Sequence, residues 1–204
     1  MEMKEIKYTV LKEGSLVKNV TIKSIKPCIA SEGKVRVLMQ LDAPLENVIP
    51  GLITRYPPGN VNYVKNNKIL TLTLYNRLIT LYPSGKVTMN KTLDKDEAIA
   101  VIANILKDIN ETHDNLESMP AEDVEQSPDL DQIGPLDIYN CLPQSNCGDC
   151  GEATCLAFAV KLLAGDHELE NCLPLQEPWN QQYVECLNNL LGSPMMKTLG
   201  WDAY

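Results

Sequence analysis

The sequence predicts an α+β protein in two parts. An N-terminal antiparallel sheet with a packed helix comes first, and a small, mainly helical domain organised around cysteines follows a linker. Three observations carry this expectation. Runs rich in β-branched residues, separated by turn residues, fill the first half. Charge divides the chain: residues 1–110 hold 16 Lys+Arg and 10 Asp+Glu, whereas residues 111–204 hold 2 and 17. The net charge of −9 thus conceals a basic half and an acidic half, as two domains with different surroundings would give. Finally, six of the seven cysteines fall from position 141 to position 186.

The strand runs VKNVTIKSI (17–25) and KVRVLMQL (34–41) flank the turn residues ASEG, the arrangement of a hairpin. A short helix is expected from Pro44, interrupted near Pro50. The runs VNYV (61–64), KILTLTLY (68–75) and LITLY (78–82) read as strands, and PSGK turns the last of them back into KVTM (86–89). Asp94 then caps a helix with Glu97 three residues on. Ala98, Val101, Ile102, Ile105, Leu106 and Ile109 form its apolar stripe, which is core rather than a functional site.

The stretch ETHDNLESMPAEDVEQSPDLDQIG is acidic, carries two prolines and has no sustained period, so it reads as a linker. The expected organisation is an α+β domain over 1–111, an acidic linker over 112–133, a cysteine domain over 134–176, and a C-terminal helix and tail over 177–204. The helix is placed at 178–191, with Trp179, Val184, Leu187 and Leu191 as its apolar face. No run approaches the ~20 apolar residues of a membrane helix, and MEMKEIKYTVLKEG has no apolar signal core. A soluble cytoplasmic protein with no membrane partner is expected, and in that compartment clustered cysteines point to metal before disulfides.

Cys147, Cys150, Cys155 and Cys172 follow the spacing Cys-x2-Cys-x4-Cys-x16-Cys. The Cys-x2-Cys pair lets two thiolates converge on one metal centre. Gly148 and Gly151 allow tight turns and a close backbone approach, with amide hydrogens available to inorganic sulfide. Thr154 is a good N-cap and puts Cys155 at the first position of the helix CLAFAVKLLAG, where the helix N-terminus favours a thiolate. Gly165 can end that helix in the left-handed conformation, and the remaining residues can return the chain to deliver Cys172. An iron–sulfur cluster and a structural zinc site are both open. Zinc usually takes two Cys-x2-Cys pairs and only one is present, which favours iron–sulfur.

The run PLDIYNCLPQSNCGDCGEATCLAFAVKLLAG, with LENCLP after it, resembles the four-cysteine iron–sulfur domain of the corrinoid iron–sulfur protein large subunit, the gamma subunit of acetyl-CoA decarbonylase/synthase. It covers about residues 134–175, a fifth of the chain. The resemblance implies a [4Fe–4S] cluster held by Cys147, Cys150, Cys155 and Cys172. It further implies an accessory electron-transfer protein whose redox partner is a corrinoid protein or methyltransferase system of anaerobic one-carbon metabolism. In that family the large subunit continues into a barrel and a cobalamin-binding region. About 30 residues follow the cysteine segment here, so cobalamin binding and methyl transfer are not carried over.

A looser resemblance links LITLYPSGKVTMNKTLDKDEAIAVIANIL, about residues 78–107, to one repeat of the TATA-box-binding fold. It implies strand, turn, strand and long helix. Nucleic acid is not expected as a partner, because one repeat is visible and the first half has no Phe to wedge between bases. A redox-sensing regulator that binds nucleic acid through the N-terminal domain, and a structural subunit of a larger complex, remain the alternatives.

The other polar candidates are weaker. Cys141 is either a redox-active neighbour of the centre or a small half-buried residue on a turn, and Cys28 and Cys186 are read as core. His113 is placed in the linker and His167 on the surface of the return loop. The carboxylates of Asp149, Glu152 and Glu170 around the cysteines would lower a cluster's reduction potential. No nucleophile arrangement, phosphate loop or general base stands out, so enzymatic turnover is not expected.

Overall fold

The structure is a computed structural model that describes residues 6–118 and 133–202. The chain divides into two compact units, residues 1–53 with 62–124, and residues 54–61 with 125–204.

The first unit is built on seven strands: β1 (Ile6–Thr9), β2 (Asn19–Pro27), β3 (Val35–Leu41), β4 (Val61–Val64), β5 (Ile69–Leu74), β6 (Arg77–Leu81) and β7 (Lys86–Thr92). They form one sheet in the order β1-β2-β3-β7-β6-β5-β4. Neighbours from β1 to β7, from β7 to β6 and from β6 to β5 run antiparallel. Alternation assigns the faces. Val20, Ile22, Val37, Met39, Leu41, Leu70, Leu72, Ile79, Leu81, Val87 and Met89 are buried on one side. On the other side stand Arg36, Leu38, Gln40, Thr71, Thr80, Lys86 and Thr88. A bulge between Ile22 and Ser24 shifts the β2–β3 register, so that Ser24 and Lys26 also join the outer face.

The apolar face receives α2 (Lys95–Ser118), whose Ala98, Ile102, Ile105, Leu106 and Ile109 are fully buried or nearly so. Asn110, buried on the same helix, is saturated. Its amide oxygen accepts from the N–H groups of Leu16 and Val17 at 2.7 and 2.9 Å, and its nitrogen donates to the carbonyls of Val17 and Leu106. The helix start follows the expected capping residues: Asp94 Oδ1 accepts from the N–H groups of Asp96 and Glu97, both at 2.9 Å. The Glu97 side chain reaches one residue further back than a capping box requires, accepting from Leu93 N–H at 2.6 Å, and pairs with Arg77.

These contacts hold the Glu97 carboxyl below its ordinary value of 4.5, the Leu93 N–H bond first and the Arg77 guanidinium second. A carboxyl depressed by folding stabilises above its unfolded pKa and loses that contribution as pH falls through the folded one. Glu97→Gln is therefore expected to lower the urea midpoint of the sheet unit at pH 7, with the difference from the parent closing as pH drops below 4.5. Far-UV circular dichroism at two pH values checks this.

The first unit departs from expectation in four places. β1 was not anticipated, since IKYT is short and lies at the sheet edge. Pro50 does not interrupt a helix. It sits in the first turn of α1 (Ile49–Leu52), where its missing N–H costs nothing. The first seven residues assigned to the linker, 112–118, are helical, because Thr112 and Leu116 extend the α2 stripe and pack against Gly51 of α1. His113 therefore lies in a helix with its side chain 24% exposed, and residues 119–132 of the expected linker fall outside the described residues. Cys28 lies just beyond β2, half-buried, with its N–H donating to the Lys34 carbonyl at 2.8 Å, rather than in the core.

The second unit holds α3 (Pro135–Asn140), α4 (Cys155–Ala164), α5 (Gln181–Leu191) and α6 (Ser193–Thr198). Ile138, Leu142, Phe158, Ala159, Leu162, Leu169, Leu187, Leu191 and Met195 are buried in it. Val184, Leu187 and Leu191 face inward on α5 as expected, whereas Trp179 is 74% exposed in the turn before the helix. The segment 54–61 is laced into this unit. Asn60 Nδ2 donates to the Ala164 carbonyl at 3.0 Å, Thr198 Oγ1 donates to the Thr54 carbonyl, and Gly59 lies against the backbone of Leu163. Cys141 and Cys186 form a disulfide, with Cα atoms 5.4 Å apart; Cys186 is thus not the unlinked core residue expected, and Cys141 is neither a free redox-active thiol nor a lone turn residue. Closing a 45-residue separation stabilises by about 4 kcal/mol in the chain-entropy account. Among the described residues, no helix is long and apolar enough to cross a membrane.

Candidate metal centre

The second unit presents its cysteines on a loop that turns repeatedly. Gln144, Asn146, Gly148 and Gly151 have φ of 56°, 49°, 81° and 86°. Left-handed residues interleaved with right-handed or extended ones curl a backbone into concave nests whose N–H groups favour anions, and many iron–sulfur sites are built this way. Gly148 and Gly151 take this conformation without a Cβ penalty, and the Gly151 N–H closes their turn onto the Gly148 carbonyl at 2.9 Å. Gln144 and Asn146 must be held in it. Gln144 Nε2 donates to the Tyr139 carbonyl at 3.2 Å, and Asn146 Oδ1 accepts from the Cys155 N–H at 2.9 Å.

That last bond joins the loop to the start of α4. Thr154 caps the helix as expected, its hydroxyl accepting from Ala157 N–H at 3.1 Å, and Gly165 ends it at φ 80°. Cys155 is the first helical residue and is buried. The return strand of chain passes through a single 3-10 turn, Leu169–Asn171, and Cys172 follows with its N–H donated to the Leu169 carbonyl at 3.0 Å.

These elements bring Cys147, Cys150, Cys155 and Cys172 to one narrow cavity, together with Asn146, Gly148, Glu152, Phe158 and Pro174. All four thiols are free. Cys147 is exposed, Cys150 half-buried, and Cys155 and Cys172 are buried. Burial pushes the Cys172 thiol up to about 11, and the neighbouring sulfurs of Cys155, Cys150 and Cys147 add to the rise. A thiol of this kind gives up its proton when a metal centre supplies the compensating charge. The nest-like loop and the all-sulfur donor set fit an iron–sulfur cluster.

A second group of side chains, not identified from the sequence, braces the loop. Glu152 Oε1 accepts from Lys161 Nζ at 2.6 Å and lies 2.9 Å from His167 Nε2. His167 Nδ1 lies 3.3 Å from Asn171 Oδ1, and its ring sits 5.3 Å from that of Phe158. The Lys161 ammonium first, and His167 second, hold the Glu152 carboxyl below the usual range. His167 is thus 17% exposed and bonded, not a surface residue, and Glu152 is charge-compensated, leaving Asp149 and Glu170 as the exposed carboxylates of the neighbourhood.

A family model described as "Putative Fe-S cluster" matches residues 142–174, the segment that carries all four thiols. The segment is similar to this Fe–S family over those residues. Its curated relatives include the acetyl-CoA decarbonylase/synthase complex subunit gamma of Methanosarcina acetivorans, 56% identical over 41 residues. That match covers 20% of this chain and 9% of the relative. The corresponding subunit of Methanothermobacter thermautotrophicus is 40% identical over 68 residues, 33% of this chain and 14% of the relative. The corrinoid/iron-sulfur protein large subunit of Moorella thermoacetica is 54% identical over 37 residues, 18% of this chain and 8% of that subunit. The chain therefore spans only about a tenth of the length of the curated relatives it matches, and no solved structure matches it. An iron–sulfur cofactor in this Fe–S domain is supported at that level.

Asn146 is a direct test of the loop geometry. Asn146→Ala removes the bond to Cys155 N–H and leaves a Cβ-bearing residue at φ 49° with no side-chain oxygen to hold it. The expected cost is about 1–2 kcal/mol, read as faster release of iron to a chelator. Asn146→Gly, which relieves the backbone and lacks the bond, is expected to fall between the two.

Proposed function

We propose that Cys147, Cys150, Cys155 and Cys172 hold one [4Fe–4S] cluster, and that the chain is an accessory electron-transfer protein of anaerobic one-carbon metabolism acting in the cytoplasm. The observation that carries this reading is the cavity shared by four free thiols on a left-handed loop and a helix N-terminus. Such a cluster supplies one-electron redox chemistry. The protein's own residues do the rest. Cys155 and Cys172 anchor from the buried side, Phe158 keeps water from the floor, and the exposed Cys147 marks the edge facing a partner. The Glu152–Lys161–His167 group fixes the loop without adding uncompensated charge near the sulfurs.

The relatives are subunits of the acetyl-CoA decarbonylase/synthase complex or a corrinoid/iron-sulfur protein, which favours a corrinoid protein or its activating system as the redox partner. Dithionite reduction of anaerobically purified protein, followed by electron paramagnetic resonance, tests the reading. A reduced-cluster signal that disappears on adding an oxidised corrinoid protein is expected. A signal that no physiological reductant can generate would leave only a structural role for the centre.

A further inference from the structure

The sheet of the first unit carries a second set of unassigned groups, independent of the cysteine centre. Its seven strands contain seven Lys or Arg and no Asp or Glu. On the face opposite α2, Lys26 of β2 stands directly across from Arg36 of β3. Like charges in direct cross-strand register repel, so this pair costs stability unless an anion sits over it. Among the described residues, neither side chain has a carboxylate partner. One strand further, Lys86 of β7 pairs with Gln40, and Thr88 pairs with Leu38, which also faces Ser24. Lys26, Arg36, Lys86, Ser24 and Thr88 line one cavity of about 200 Å³ on this face, floored by Leu38. Lys86 Nζ lies 4.8 Å from the Tyr82 ring, which holds it without neutralising it.

We propose that this cavity binds a phosphate-bearing anion. Three cations, one of them a guanidinium fork able to take two oxygens, and two hydroxyls form a set with more donors than a carboxylate can use. The register sets the span. Arg36 and Lys86 lie on adjacent strands about four residues apart along them, or ~13 Å, a distance that long side chains close around a diphosphate. The cavity lining is basic, hydroxylic and aliphatic, with the Tyr82 ring engaged by Lys86 beside it, so the group these residues recognise is the phosphate itself.

The test uses the full chain, purified anaerobically, at low ionic strength. Inorganic pyrophosphate is titrated calorimetrically, and a fluorescent DNA oligonucleotide is titrated by anisotropy in parallel. Arg36→Ala and Lys26→Glu are the variants. Lys26→Glu turns the like-charged pair into an opposite-charged one, so it is expected to raise the melting temperature of the anion-free sheet unit while abolishing binding. Each variant is expected to weaken pyrophosphate by about tenfold or more. Pyrophosphate binding lost in both variants assigns a small phosphate or diphosphate anion. Binding of the oligonucleotide alone, lost in both variants, assigns a nucleic-acid backbone, and binding in both arms assigns the phosphate group whatever carries it. No binding in either arm, or binding that both variants leave within about threefold of the parent, overturns the proposal.

Discussion

Cys172→Ala is expected to empty the metal centre: bound iron should fall to less than about a tenth of the parent's, with the characteristic visible absorbance lost. Cys172 is 7% exposed, and its thiol is pushed up to about 11 by burial and by its three sulfur neighbours. In the protein without metal it is therefore a protonated, buried thiol that contributes little, and its worth lies in the bond it makes when deprotonated. Losing one of the four proposed ligands would also leave three thiolates near one another without the charge that a bound cluster supplies. Cys28→Ala is the matching control. Cys28 lies beyond β2 in the other unit, outside the cavity, and its replacement should leave iron content unchanged. Iron and visible absorbance, measured on both variants side by side, separate a ligand from a bystander.

Phe158→Ala is expected to be the most destabilising single change in the second unit. Phe158 is the chain's one phenylalanine, 1% exposed, on the inner face of α4, and it lines the cavity beneath the thiols. Its ring also carries His167 at 5.3 Å, and through it the Glu152 brace. Removing a buried ring costs about 3–5 kcal/mol through lost transfer energy and the void left behind. Denaturant melts of the second unit, followed by near-ultraviolet circular dichroism, read that loss, and iron should leak from the same variant. Phe158→Leu, which refills most of the space, should recover more than half of it. A melt that Phe158→Ala leaves unchanged would contradict the packing account of the site.

Local signals were legible and long-range ones were not. Six of the seven strands are written in β-branched alternation, and Asp94 with Glu97 marked the start of α2. Thr154 and Gly165 marked both ends of α4, and the four cysteines announced themselves by spacing. The misses share a physical cause. The end of α2 depends on Thr112 and Leu116 meeting Gly51, a contact sixty positions away that made helix of an apparently acidic linker. The disulfide joins Cys141 to Cys186, which nothing local relates. The membership of residues 54–61 in the second unit rests on Asn60 reaching Ala164, more than a hundred residues on. Around the centre, Asn146 could have been suspected, since Asn tolerates the left-handed region and carries an oxygen for a nearby helix start. Glu152 and His167, fifteen residues apart, become partners only once α4 has folded the chain back. The outer face of the sheet was similarly hidden: Lys26 and Arg36 are ordinary surface residues until register sets them opposite each other.

The central claim is tested most directly by counting metal and sulfide in protein purified without oxygen. The account predicts about four iron atoms and about four acid-labile sulfides per chain, with zinc at trace level. One zinc per chain with no labile sulfide would contradict it, and the four thiols would then close on a single ion.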